Sequence, residues 1–163
     1  MVEIDPDITR ASTLPSKYYT DPVIFESLLN QFKATWNYVG HTSQYEENTI
    51  LPININREPM VVTKSGGKFS CLSNVCTHRG MILQSEKECK KTLTCPYHGR
   101  TFSLDGMLKQ MPEFESTEDF PSKKDNLEHF SIEFWNQLIF ISQDPDSPLL
   151  DCMKEVTERM KFL

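Results

Sequence analysis

The sequence predicts a mainly β protein: a small antiparallel β-sandwich or barrel that carries two metal-binding loops and has a helix at each end. Three observations lead to this prediction. Short stretches of alternating apolar residues, separated by turn residues, fill the region from about 48 to 142. Segments with helical periodicity lie only before and after that region. Two cysteine–histidine pairs fall in loops between the predicted strands.

Composition bounds the kind of protein. The chain has 163 residues, of which 38% are hydrophobic, and its formal net charge is −6. One folded domain with flanking structure fits this length, and the negative charge does not favour nucleic acid or an anionic membrane as partner. The first residues, MVEIDPDITR, are acidic, and no stretch reaches the roughly 20 apolar residues of a spanning helix. With five cysteines, an odd number, we expect a reducing, cytoplasmic location.

The N-terminal region contains one predicted helix. Residues 1–20 read as an extended arm. Asp21 then suits a helix N-cap and Pro22 the first helical position. Because apolar residues repeat at helical spacing beyond this point, we predict a helix from about Pro22 to Phe32. The repeating residues are Phe25, Leu28, Leu29 and Phe32.

The central region contains strands joined by hairpin turns. TILPININ (49–56) alternates, and the KSGG turn (64–67) lies between two apolar runs. Asp105-Gly106 and Asn136-Gln137 occupy equivalent turn positions between further apolar runs. The predicted sheet is therefore antiparallel.

The C-terminal region predicts a second helix. Ser147-Pro148 suits a helix start, and apolar residues recur from Leu149 to Leu163. This row of apolar residues is expected to pack against another part of the protein. We expect either that it leads into a further domain or that the helix docks on the sandwich.

Two cysteines and two histidines indicate a metal site. The spacing is Cys76-x-His78, sixteen residues, then Cys95-x2-His98. One interpretation is structural zinc, which accepts two cysteines and two histidines on one ion. The other is a [2Fe–2S] cluster with two thiolates on one iron and two imidazoles on the other. Each loop supplies one cysteine and one histidine, and this pattern favours the cluster.

The residues beside these ligands suit tight loops. Gly80 and Gly99 follow the two histidines, and Pro96 follows the second cysteine. Such residues allow turns whose backbone N–H groups point at bridging sulfides.

These loops resemble a known family. CTHRG (76–80) and CPYHGRTFSLDG (95–106) are similar to the cluster loops of Rieske proteins, and more narrowly to those of Rieske non-haem iron oxygenase α subunits, the ring-hydroxylating oxygenases. The similarity covers most of residues 12–151. It implies that Cys76 and Cys95 ligate the inner iron, and His78 and His98 the outer iron.

The resemblance also bears on the residues around the cluster. Respiratory-chain Rieske proteins have a disulfide where this chain has Met81 and Tyr97, and a serine and a tyrosine where it has Arg100 and Phe102. Fewer hydrogen bonds to sulfur imply a low potential, about −150 mV. The oxygenases commonly have tryptophan at the position of Arg100. We further expect Arg79 to brace its loop through a carboxylate, and Tyr97 and Phe102 to shield the cluster.

The oxygen-activating iron of such oxygenases is not expected in this chain. That iron needs two histidines and a carboxylate, whereas His41 and His129, the histidines outside the loops, lie far apart. We expect both to be ordinary surface or partly buried histidines. For the other cysteines we expect a core position for Cys71, a surface position for Cys89 and a packing role for Cys152.

The resemblance then implies a function and a division of the chain. Residues 1–40 form the arm and helix, 41–146 the Rieske domain, and 147–163 a helix that leads into a catalytic domain. A flavin-dependent reductase or a ferredoxin supplies electrons, which pass to a mononuclear Fe(II) for O2-dependent mono- or dioxygenation, and the intact protein is a homotrimer. The alternatives are a stand-alone Rieske ferredoxin and a structural zinc module.

Overall fold

The computed structural model describes residues 4–114 and 116–161. Ten strands are found in this part of the chain, and the mainly β prediction is confirmed. In chain order they are β1 (Asn37–His41), β2 (Thr49–Ile55), β3 (Glu58–Ser65), β4 (Lys68–Ser73), β5 (Glu88–Cys89), β6 (Thr92–Thr94), β7 (Thr101–Ser103), β8 (Leu108–Gln110), β9 (His129–Trp135) and β10 (Leu138–Ser142).

The strands form two antiparallel sheets. The larger has the order β1-β10-β9-β4-β3-β2-β5, and the smaller has the order β6-β7-β8. The three predicted hairpins are present as β3–β4, β7–β8 and β9–β10. Gly66 and Gly67 form the first turn with φ of 58° and 75°, which matches the twist of the strands that they join.

The larger sheet is covered on both faces in its middle. Neighbouring residues of a strand point to opposite faces. Accordingly, Val61 packs in one buried cluster with Leu72 and Phe102, while Met60 and Val62 pack in another. The continuous apolar run in β3 is explained by this double burial.

The N-terminal region is more helical than the predicted extended arm. A short helix, α1 (Lys17–Thr20), precedes α2 (Pro22–Ala34). The predicted N-cap is confirmed, since the Asp21 carboxylate accepts the N–H of Val23 at 2.8 Å. Within α2 no residue is buried, so the helix lies on the surface of the described structure.

The C-terminal segment forms two short helices where one was predicted. They are α3 (Leu149–Cys152) and α4 (Lys154–Arg159), and Met153 lies between them. Leu149 is buried, and its N–H donates to the Glu133 carboxylate of β9 at 2.9 Å. The start of the segment is therefore docked on the sheet. Leu163, the last residue of the predicted apolar row, lies outside the described residues.

None of the helices among the described residues has the length and the apolar composition that crossing a membrane requires. The predicted boundary at residue 41 falls inside β1, which pairs with β10 in the larger sheet.

Candidate metal centre

The first ligand loop (74–84) follows β4 and is closed by its own backbone. The N–H of Cys76 donates to the Met81 carbonyl at 2.8 Å, and the N–H of Gly80 donates to the Cys76 carbonyl at 3.0 Å. Gly80 has φ +69°, which L side chains rarely adopt. At the base of the loop, the Asn74 side chain exchanges two hydrogen bonds with the backbone of Gln84, at 2.7 and 2.9 Å.

The second ligand loop (95–100) connects β6 to β7 and repeats this construction. The N–H of Cys95 donates to the Arg100 carbonyl at 2.7 Å, and the N–H of Gly99 donates to the Cys95 carbonyl at 3.1 Å. Gly99 has φ +73°. Pro96 is exposed within the loop. In both loops the glycine comes four residues after the cysteine, although the histidines come two and three residues after it.

The two loops bring the four predicted ligands together as two pairs. Cys76 and Cys95 are buried in the same cluster of apolar side chains. His78 and His98 are half-buried, with ring centroids 4.9 Å apart. The thiols lie inside the core, and the imidazoles lie nearer the surface.

Protonation differs between the buried thiol and the imidazole of the first loop. Burial raises the pKa of Cys76, and the neighbouring Cys95 acts in the same direction, against the opposing effects of the His78 N–H and the Arg100 charge. Burial lowers the pKa of His78, with further lowering by the charges of His98, Arg79 and Arg100. The neutral imidazole is therefore favoured, which is the form that binds metals. The thiol must lose its proton on metal binding.

This arrangement fits a two-iron cluster. Nδ1 of His98 is buried and has no hydrogen-bond partner within the described part of the chain, so a metal bond would satisfy it. Two ligands on each of two irons is the Rieske arrangement, whereas structural zinc takes four ligands on one ion.

The aromatic residues predicted as shields occupy different environments. Phe102 is fully buried in the cluster of Cys76 and Cys95. Tyr97 stacks on the His98 ring with 3.8 Å between centroids, but 57% of the residue is exposed. Tyr97 therefore covers one face of an imidazole and leaves the site open beside it.

The predicted arginine brace lies at a different residue. Arg79 is exposed and forms no ion pair with any described residue. The buried arginine is Arg100, which pairs with Asp125 at 2.8 Å and donates to Thr77 at 2.8 Å. Sequence reasoning noted Arg100 only as a departure from the family pattern. Asp125 lies 25 residues away in no recognisable motif, so nothing in the sequence signalled the pair.

The remaining cysteines and histidines lie outside the loops. Cys71 is a core thiol as predicted, and burial raises its pKa to about 12. Cys89 is exposed as predicted, although it lies in β5 and not in a loop. The packing role predicted for Cys152 is wrong, because this residue is exposed. His41 caps a 3-10 turn, and His129 is exposed on β9.

The fold and the paired loops define an iron–sulfur domain built around two cysteines and two histidines. The family model of the Rieske [2Fe-2S] domain matches residues 35–121, and the chain belongs to this family.

Relatives of the chain are oxygenase subunits. The carnitine monooxygenase oxygenase subunit of Escherichia coli (strain K12) is 34% identical over 142 residues, which cover 85% of this chain and 38% of that protein. The chloroplastic choline monooxygenase of Beta vulgaris is 32% identical over 147 residues, which cover 87% of this chain and 33% of that protein. The chain thus spans less than half the length of these relatives.

Solved structures agree with this likeness. The quaternary ammonium Rieske monooxygenase CntA, in complex with L-carnitine, matches 92% of this chain and 44% of its own with a TM-score of 0.85 and 28% identity. Naphthalene 1,2-dioxygenase from Rhodococcus sp. matches 85% of this chain and 33% of its own with a TM-score of 0.77 and 26% identity.

Proposed function

We propose that Cys76 and Cys95 hold one iron of a Rieske [2Fe–2S] cluster, and that His78 and His98 hold the other. The observation that carries this proposal is the convergence of a buried thiol pair and a half-buried imidazole pair on two loops of equal construction. When bound, the cluster takes up and gives up one electron at a time.

The surrounding residues suit this exchange. The cysteines lie in a water-excluded cluster of apolar side chains, where the iron that they hold is insulated. The histidines lie closer to solvent, and electrons enter and leave on their side. The two loops also expose large hydrophobic side chains: Met81, Ile82 and Tyr97.

The chain serves as the electron-receiving domain of a longer oxygenase. Its likeness to carnitine and choline monooxygenases supports this assignment. A flavin-dependent reductase or a ferredoxin supplies the electrons, and a mononuclear iron held by residues beyond this chain uses them with O2. A structure of CntA is described as revealing inter-subunit electron transfer. This supports an assembly of subunits for the intact protein. We propose that the assembly is a homotrimer, in a cytoplasm that keeps the cysteines free of disulfides.

The test is a visible absorption spectrum with iron, sulfide and zinc analysis of anaerobically purified protein. We expect two irons and two sulfides per chain and a red-brown colour. The variant His98→Ala removes one ligand and should lose the colour.

The matched control is His129→Ala, which removes an exposed histidine outside the loops and should keep the full iron content. A colourless wild-type protein with one zinc per chain would contradict the electron-transfer proposal. It would leave a structural zinc module instead.

A further inference from the structure

The buried guanidinium of Arg100 connects segments that are distant in sequence. Nη1 donates to the hydroxyl of Thr77 at 2.8 Å, and Nη2 donates to the carboxylate of Asp125 at 2.8 Å. The Thr77 hydroxyl donates in turn to the Asp125 backbone carbonyl at 2.8 Å. The ring of Phe120 lies 5.4 Å from the guanidinium carbon.

These contacts join the two ligand loops. Thr77 stands between the ligands Cys76 and His78, and Arg100 comes two residues after His98. The backbone carbonyl of Arg100 also closes the second loop. One side chain therefore bridges the two loops that supply the ligands.

The charge of this arginine is poorly screened. Its side chain is 3% exposed, while that of Asp125 is 22% exposed. Arginine stays protonated in proteins, and charges removed from water act over longer distances than exposed ones. The guanidinium bonds to Thr77, which lies between Cys76 and His78 in the chain. Reduction adds one negative charge to the cluster, so a fixed positive charge beside it favours the reduced form.

We propose that Arg100 is a positioning residue for the cluster: it ties the two loops together through Thr77 and, balanced by Asp125, supplies a buried positive charge that raises the reduction potential. This inference rests on the proposed cluster. Absence of iron from the wild-type protein defeats the proposed function before any potential is measured. The inference about Arg100 fails separately, in a protein that holds its cluster.

The charge is tested by variants with opposite expected effects. Arg100→Gln leaves the Asp125 carboxylate unbalanced and should lower the potential. Asp125→Asn leaves the guanidinium unbalanced and should raise it. We expect each to change the equilibrium constant for one-electron reduction at least tenfold, which is about 59 mV. If the two variants only loosened the loops, their potentials would not be expected to shift in opposite directions.

The connection between the loops is tested by Arg100→Lys. Lysine keeps the charge, but its single ammonium group cannot span Thr77 and Asp125 as the planar guanidinium does. We expect the equilibrium constant for one-electron reduction of this variant to stay within tenfold of the wild-type value. Iron release to a chelator should be at least tenfold faster. If Arg100→Gln holds no cluster, Asp125→Asn still tests the effect of the charge on the potential, and Arg100→Lys still tests the connection between the loops.

The control is Arg159→Gln, which removes the same charge from an exposed position on α4 and should leave both measurements at the wild-type values. Potentials that move in the same direction for Arg100→Gln and Asp125→Asn overturn the proposal. A change of less than tenfold in the equilibrium constant for reduction of Asp125→Asn also overturns it. So does a rate of iron release from Arg100→Lys that equals the wild-type rate.

Discussion

The hydroxyl group of Thr63 links the two sheets at a buried position. Thr63 lies in β3 and is 1% exposed, and its Oγ1 donates to the Leu104 carbonyl, just after β7, at 2.5 Å. A buried carbonyl without its donor costs free energy, because no water replaces the lost partner. The link therefore contributes to the stability of the sheet that carries the second ligand loop.

Replacing this hydroxyl with a methyl group should destabilise the fold. For Thr63→Val we expect the free energy of unfolding to fall by about 1–3 kcal/mol, measured by urea denaturation of the cluster-loaded protein.

The matched control is Thr92→Val, at an exposed position on β6, where a change within about 0.5 kcal/mol is expected. Equal losses in the two variants would show that the bond to Leu104 contributes nothing.

The sequence singled out the four predicted ligands because their chemistry is rare and their spacing is local. Cys76, His78, Cys95 and His98 meet as two pairs, as the cluster interpretation requires. The contacts of Arg100 were not predictable, because Asp125 lies 25 residues further along the chain and no periodic pattern or motif relates the two residues.

At the level of elements, the β7–β8 turn is fitted closely to the larger sheet. Gly106 has φ +83°, and a Cβ built on it would lie 2.9 Å from Cδ2 of Leu72 and 3.1 Å from Nε2 of His129. The glycine is thus required both by its backbone conformation and by the close approach of β4 and β9.

The two requirements can be separated by comparison of two glycines. Gly67→Ala should cost about 1–2 kcal/mol of unfolding free energy, since its φ is +75° but its Cβ would meet open space. Gly106→Ala should cost about 1–3 kcal/mol more, because the methyl group clashes with packed side chains.

Thermal or urea unfolding of both variants measures this difference. Equal costs would mean that Leu72 and His129 move aside freely. In that case the backbone conformation alone explains the glycine.

Glycine and asparagine signals predicted most of the turns, but not all of them. The β2–β3 turn uses Asn56 and Arg57, both with positive φ, at 51° and 68°. Arginine gives no turn signal, so this connection was not predicted. The strand β5 escaped prediction because it has only two residues, Glu88 and Cys89, and is formed by pairing with β2.

Across the whole molecule, burial is unevenly distributed. Residues Met60–Thr63 of β3 are all buried, whereas α2 contains no buried residue among those described. Helical stability in proteins comes mainly from packing of an apolar face. The sheet and the N-terminal helix should therefore differ in local stability.

Hydrogen–deuterium exchange followed by mass spectrometry tests this difference. We expect amides of α2 to exchange at least about tenfold faster than those of β3, after correction for intrinsic rates. Equal protection would contradict the surface position of α2 and would indicate that something covers the helix in solution.

The pairing of β1 with β10 has a mechanical consequence. The two strands are antiparallel, with Asn37 opposite Ile141 and His41 opposite Leu138, so the segments before β1 and after β10 leave the sheet at the same end of this pair. Tension between these segments loads the perpendicular hydrogen bonds one after another, like a zipper, and not all at once in shear. A pull on the flanks therefore first breaks the bonds between the flanks themselves, where the Lys33 carbonyl accepts from the backbone N–H groups of Gln143 and Asp144, and then peels β1 from β10.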